Sequence, residues 1–244
     1  MMDAMKKLVK ESENIVVFGG VQLMYEQGLN GVRADLKPYD IEMEYGYSAD
    51  EMMTNLFLTR NGSKFYHYYK NVILDKDNMV PGDGHKAVAD LEKAGKLEML
   101  VTRTVYGLYR TAGVENIIEM HGSIYENKCP NCGKMFGPDH ILEAKNVPVC
   151  DVCKVPLRPG FALLQEVMDN GKITQCAEAV ERADLLIVVG DDMEAPLCKH
   201  FLKYFDGKAI LLINEKETPN SDRADYAVYG NCNELLRELV DGAI

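Results

Sequence analysis

No stretch of this 244-residue chain holds the roughly 18 consecutive apolar residues of a spanning helix, and the amino terminus is short, mixed in charge and without an apolar signal core. These absences argue against a membrane protein and make the cytoplasm the expected location. Basic residues are in the minority, 27 Lys and Arg against 38 Asp and Glu, for a formal charge of −11. That balance disfavours a long contact with a nucleic-acid backbone. A base-reading helix motif and an aromatic-basic platform are also missing, so no nucleic-acid partner is expected. There is no internal repeat and no low-complexity tail. His67, His85, His140 and His200 form no compact metal pattern and read as surface, cap or packing residues.

What the chain does have is cysteine in a pattern. Of its seven cysteines, four stand as Cys129-x-x-Cys132 and Cys150-x-x-Cys153. Two such knuckles, brought together by the ribbon between them, present four thiolates in the tetrahedral set that zinc takes. Because all four positions are then filled by protein, the metal is expected to be structural rather than water-activating. Cys176, Cys198 and Cys232 lie outside the cluster and read as structural or incidental thiols. The total suits a reducing compartment better than a paired secreted framework.

Apolar runs at Glu13–Gly20, Asp184–Gly190 and Lys208–Asn214 each look like a buried strand ending at a turn, which predicts a parallel sheet. Helical patterns over Gly84–Ala94, Ile173–Arg182 and Asn233–Val240 supply its cover, and Leu97–Val101 adds a strand. The expected fold class is α/β, a Rossmann-like parallel sheet with helices on both faces, carrying a small zinc ribbon and a helical module. The division predicted is 1–34, 78–121 and 160–244 for the large domain, 35–77 for a helical module or lid, and 122–159 for the ribbon. Met, Tyr and Phe clustered in the module read as packing rather than ligand recognition.

In their order along the chain, Gly20, Gly28 and Arg33, then Thr102 and Gly107–Gly113, His121 in a His-Gly element, the four cysteines, Arg158-Pro159 and Glu166, and finally Gly190, Ile213-Asn214, Thr218 and Gly230–Cys232 resemble the sirtuin family. The resemblance covers roughly residues 13–240 and implies the fold above with a cleft for NAD or an ADP-ribose-like nucleotide. It also implies an acyl-lysine peptide or modified protein as partner. Sirtuins remove acyl groups from lysine using NAD, and some relatives transfer ADP-ribose to proteins. His121 is then the candidate catalytic residue, because an imidazole can accept a ribose hydroxyl proton near neutral pH. A structural role for His121 stays open. Candidate cofactor-binding residues are Gly20, Gln22, Arg33, Arg103, Thr104, Gly190, Asn214, Gly230 and Cys232. Arg33 suits a phosphate, Asn214 a ribose, the glycines close backbone approach, and Cys232 a backbone contact near the base.

The departures from the family pattern fall on the same cleft. Where the family reads Gly-Ala-Gly-Ile-Ser, this chain has Gly20-Val21-Gln22-Leu23-Met24, and Gln22 adds bulk where a dinucleotide needs room. Gln-Asn-Ile-Asp becomes Arg103-Thr104-Val105-Tyr106, losing an amide and a carboxylate and gaining a cation. Arg103 either recruits an anion or sits on a solvated loop. Gly-Thr-Ser becomes Gly190-Asp191-Asp192, and the two acids read as surface or helix-capping residues. Phe-Gly-Glu becomes Leu164-Gln165-Glu166, without the turn glycine; Phe161, Leu163 and Leu164 read as core. Deacylation is therefore expected to be altered or lost. The alternatives are an active NAD-dependent deacylase or ADP-ribosyltransferase using His121, and a non-catalytic interaction protein.

Overall fold

The computed structural model describes residues 1–33, 38–74 and 79–244. Six strands build one sheet: β1 (Ile15–Gly19), β2 (Leu97–Thr102), β3 (Ile117–Glu119), β6 (Leu185–Val189), β7 (Ala209–Asn214) and β8 (Tyr226–Tyr229); β4 (Asn127–Lys128) and β5 (Met135–Phe136) pair separately. The order across the large sheet is β3-β2-β1-β6-β7-β8, and every neighbouring pair is parallel. This is the doubly wound arrangement, in which the strand order reverses between β1 and β6 and a crevice opens at their carboxyl ends. The short edge strands β3 and β8 carry little sequence signal. β8 reads Tyr-Ala-Val-Tyr, with both ends open to solvent to some degree, so neither a continuous apolar run nor a clean alternation marks it.

Twelve α-helices complete the described residues: α1 (Met2–Glu11), α2 (Gln22–Tyr25), α3 (Pro38–Tyr45), α4 (Ala49–Met52), α5 (Asn55–Arg60), α6 (Gly62–Tyr68), α7 (Asp83–Lys93), α8 (Leu108–Ala112), α9 (Pro138–Glu143), α10 (Asn170–Arg182), α11 (Pro196–Phe201) and α12 (Cys232–Asp241). Alternation along β1 shows why helices cover both faces. Ile15 and Val17 enter a core with Met5 of α1, Val88 of α7 and Leu236 of α12. Val16 and Phe18 enter a different core with Cys176 and Val180 of α10 and Phe201 of α11. A strand buried on both sides reads as a continuous apolar run, as β1 and β6 do. Each fully buried Val, Leu or Ile contributes about 1.5–3 kcal/mol of transfer free energy, so these central strands fix the sheet.

A third core lies off the sheet. Phe57, Phe65, Tyr66, Tyr68 and Tyr69 of the helical segments pack with Ile124, Phe136, Ile141, Leu157 and Phe161 from the ribbon and its flanks. The phenols that this burial removes from water are satisfied: Tyr66 donates to the Leu157 carbonyl at 2.6 Å and Tyr69 to Asn127 Oδ1 at 2.8 Å. The aromatic cluster is packing, as expected. Of the helical module expected over 35–77, residues 35–37 and 75–77 lie outside the described residues. No helix among the described residues is long and apolar enough to cross a membrane.

Candidate active site and zinc site

The two Cys-x-x-Cys segments fold into matching knuckles. In the first, Gly133 N–H donates to the Cys129 carbonyl and Cys129 N–H to the Lys134 carbonyl, both at 2.9 Å. In the second, Lys154 N–H donates to the Cys150 carbonyl at 3.0 Å and Cys150 N–H to the Val155 carbonyl at 2.9 Å. Each knuckle turns through the left-handed region, at Gly133 (φ +72°) and at Lys154 (φ +60°). The four Sγ atoms lie within 4.8 Å of one another, and Cys132 and Cys150 are 3.8 Å apart. Four thiolates at about 2.3 Å from a tetrahedral zinc stand about 3.8 Å from each other, so the donor set and its spacing fit a structural zinc. Beneath the knuckles, β4 and β5 pair and α9 packs, so the metal would hold together a segment with little core of its own.

His121 follows β3 and faces a cavity of about 350 Å³ shared with Arg33, Arg103, Thr104 and Tyr106. Apolar walls come from Met24, Met53, Val105, Phe161 and Leu163. The segment after the ribbon closes the cavity by hydrogen bonding to both sides: Ala162 N–H donates to the His121 carbonyl at 2.7 Å, and Leu164 N–H to the Met53 carbonyl at 2.8 Å. Phe161 and Leu163 are thus buried core residues and cavity wall at once. Burial, then the nearby Arg103 and Lys172 cations, push the His121 pKa below the usual 6.5, so the imidazole is neutral at neutral pH and can accept a proton. Glu166 accepts from Leu163 N–H at 2.9 Å and pairs with Arg158, which reaches Asn55 of α5 at 3.0 Å. This brace holds Gln165 at φ +70°, the left-handed conformation that the family's glycine would take without strain.

At the strand-order reversal the loops after β1 and β6 touch. Gly20 N–H donates to the Val189 carbonyl at 2.8 Å and Gln22 N–H to the Gly190 carbonyl at 3.1 Å. A Cβ on Gly20 would lie 2.2 Å from the Gly190 oxygen and 2.6 Å from Asp191 Cβ. The side chain of Asp191 therefore starts directly over the first glycine of the turn. Its carboxylate meets Arg103, Oδ2 to Nε 3.0 Å, and also accepts Asp192 N–H at 3.0 Å. Burial pushes the Asp191 pKa up, against the pull of the Arg103 cation.

The sequence-derived residues thus gather in two groups. Arg33, Arg103, Thr104 and His121 line the His121 cavity. Gly190, Asn214, Gly230 and Cys232 gather at the ends of β6, β7 and the start of α12, where Asn214 Nδ2 donates to the Asp191 carbonyl at 3.3 Å and Gly230 N–H to the Asn214 carbonyl at 2.9 Å. Gly20 and Gln22 sit against this second group, and the Arg103–Asp191 pair joins it to the first. Arg33 pairs with Asp50 at 3.6 Å. Thr104 is buried and its hydroxyl meets that of Thr102 at 3.0 Å. Tyr106 is buried and donates to the Asn30 carbonyl at 2.5 Å.

Three expectations need correction. Asp191 is no surface residue, because the contact of the two loops encloses it and its side chain is only 6% exposed. Asp192 does cap, accepting Glu194 N–H at 2.7 Å. Arg103 is not on a solvated loop, since Asp191 draws it inward to 31% exposure. The backbone N–H of Cys232, read as a ligand contact, already donates to Glu26 Oε1 at 2.7 Å. Glu26 also accepts Asn233 N–H at 2.9 Å and Asn233 Nδ2 at 2.8 Å, so an internal carboxylate fills the amino end of α12. Sequence reading missed Glu26, whose partners lie more than 200 residues away. No local pattern carries such a signal.

The Sir2 family profile matches residues 26–195. An NAD-dependent protein deacetylase of Clostridium perfringens is 31% identical over 241 residues, 98% of each chain, and one of Clostridium tetani is 32% identical over 238 residues, 97% of this chain and 96% of that one. The NAD-dependent protein deacylase 1 of Archaeoglobus fulgidus is 28% identical over 242 residues, covering 98% of this chain and 97% of its own. Among solved structures, a Sir2 homologue in complex with NAD superposes with a TM-score of 0.83 at 28% identity, over 99% of this chain and 93% of that one. A Sir2 protein bound to a propionylated peptide gives 0.80 at 25% identity, over 100% and 99%.

Proposed function

The chain belongs to the Sir2 family, and from that premise we propose that it binds an NAD-type nucleotide and engages acyl-lysine in a peptide or modified protein, through a cleft rebuilt so that ordinary deacetylation is altered or lost. The observation that carries this reading is the Arg103–Asp191 ion pair, 3.0 Å across the mouth between the β2 and β6 loops. Both residues replace uncharged ones of the family pattern, and each compensates the other. A buried acid alone over Gly20 would repel a phosphate, and a cation alone beside His121 would be unbalanced; paired, they form a neutral bridge through the middle of the cleft.

Sirtuins use NAD, which when bound supplies an electrophilic ribosyl carbon and nicotinamide as leaving group. The residues of this chain contribute around it. Neutral His121 accepts a hydroxyl proton at its free ring nitrogen, Thr104 and Tyr106 present hydroxyls in place of the family's amide and carboxylate, and the 161–166 segment excludes water over His121. Residues 1–34, 78–121 and 160–244 are read as the nucleotide-binding domain, 35–77 as the helical module and 122–159 as the zinc ribbon; separate cores on the sheet and beside the ribbon support that division. The non-catalytic alternative is favoured by one feature, the bridge itself, which must be accommodated before a dinucleotide spans both groups of residues.

The test is calorimetric titration of zinc-loaded protein with NAD and with ADP-ribose, followed by nicotinamide release with an acetyl-lysine peptide in wild type and His121→Gln. Binding of both nucleotides is expected, with nicotinamide release roughly a hundredfold slower than in the clostridial relatives, the loss that misplacement by about 1 Å produces. Failure to bind either nucleotide overturns the proposal. Release at the relatives' rate overturns the altered chemistry.

A further inference from the structure

Arg103 is held in an unusual way. Asp191 grips it at Nε, on the inner edge of the guanidinium, and among the described residues no other carboxylate or carbonyl engages it. The 3.0 Å contact is not aligned as a hydrogen bond, and neither Nε nor Asp191 Oδ2 has a hydrogen-bond partner, although both atoms are buried. The carboxylate that fixes Arg103 therefore leaves the terminal fork of the guanidinium uncommitted. Arg103 also lines the His121 cavity, so that fork belongs to a space whose remaining walls are largely apolar. The acid of that wall, Glu166, is already committed to Arg158 and to Leu163 N–H.

An arginine fork in an apolar pocket has a chemical complement: a planar oxyanion carried on an apolar stem, which the two terminal N–H groups can meet side by side. A phosphate is a poorer match, because it would leave the Met24, Val105, Phe161 and Leu163 walls uncovered. We propose that Arg103, positioned by Asp191, is a specificity-determining residue that makes the His121 cavity select a ligand ending in a carboxylate. Under the sirtuin reading on which this inference rests, that ligand is a lysine bearing an acyl chain with a terminal carboxylate. The same chemistry is offered by a free dicarboxylate, and the two sources are separable.

The experiment compares a succinyl-lysine peptide with the same peptide bearing the terminal amide in place of the acid, by calorimetry on zinc-loaded protein, with free glutarate as a third ligand. The acid should bind roughly ten- to a hundredfold tighter than the amide, the range of a charge-assisted bidentate contact. Arg103→Gln should abolish that ratio while leaving the amide peptide's affinity in place. Asp191→Asn should shrink it by releasing the fork, a change that a merely structural acid would not produce. Arg103→Lys keeps the charge beside Asp191 and serves if the other variants fail to fold; it should lose most of the preference because the fork is gone. Equal affinity for acid and amide, or full preference in Arg103→Lys, overturns the proposal. Glutarate binding with no preference between the peptides overturns the acyl-lysine source and keeps the carboxylate anchor. ADP-ribose is titrated on the same preparations: binding of ADP-ribose without acid preference sinks this inference alone, and acid preference without ADP-ribose binding sinks the nucleotide reading alone.

Discussion

Replacing Gly20 with alanine tests whether the contact between the β1 and β6 loops organises the cleft. The added methyl would fall 2.2 Å from the Gly190 oxygen, 2.5 Å from the Gly190 carbonyl carbon and 2.6 Å from Asp191 Cβ. Comfortable carbon contacts lie at about 3.5–4.0 Å, so the loops must part by about 1 Å. The nearest obstacles are backbone atoms, which cannot rotate aside as a side chain would. The strands below are tied by Gly20 N–H to the Val189 carbonyl at 2.8 Å and Gln22 N–H to the Gly190 carbonyl at 3.1 Å, and those bonds resist the separation. Overpacking of this kind costs about 1–3 kcal/mol. For a chain of this size that lowers Tm by about 2–12 °C. Gly137→Ala is the control, since nothing lies within 4 Å of a Cβ there and its φ is −76°; it should stay within about 0.5 kcal/mol. Urea denaturation and thermal melting read both variants. Because the methyl pushes on Asp191, Gly20→Ala should also weaken the preference for carboxylate that Asp191 supports through Arg103. If Gly20→Ala melts with the control, the loop contact is not what positions Asp191, and the argument built on it fails.

The remaining predictions concern the metal, the imidazole and the strained turn. Elemental analysis of protein purified without chelator should find about one zinc per chain, and Cys129→Ser with Cys150→Ser should remove it and raise amide exchange across 127–158 while the sheet core stays protected. The folded pKa of His121 lies below the 6.5 of the free imidazole, so the neutral form is favoured by folding. The stability it contributes is present above 6.5 and is lost as pH falls through the folded value, so the acid limb of any turnover should lie below 6.5, and urea titrations across that range should show a pH-dependent difference that His121→Gln removes. Gln165→Gly relieves a left-handed residue and should raise stability by about 1 kcal/mol in urea titrations; a loss of stability would mean that Gln165 makes contacts worth more than its strain.

Much of the architecture was legible along the chain because its causes are local. A strand buried on both faces must be apolar throughout, and β1, β6 and β7 are. Each amphipathic helix expected on the sheet begins within three residues of where its pattern does, since a 3.6-residue period is written in consecutive positions. The zinc site was legible because two Cys-x-x-Cys knuckles admit few other chemistries. The short edge strands β3 and β8 were not, being too brief or too exposed to carry a period. The candidate catalytic histidine could be named from a motif, yet its neutral state comes from burial and from Arg103 and Lys172, which other segments deliver.

The sequence by itself determined the sheet, the metal ligands, the family and the positions at which the cleft departs from it. Only the tertiary structure decided what those departures do. Arg103 and Asp191 are 88 positions apart and read separately as a stray cation and a surface acid; the reversal of strand order between β1 and β6 brings their loops together and makes them one buried pair. Glu26 and the start of α12 meet for the same reason. Charge and hydrogen bonding act through space at a few ångströms, and a linear sequence records which groups exist but not which of them the fold will bring within that range.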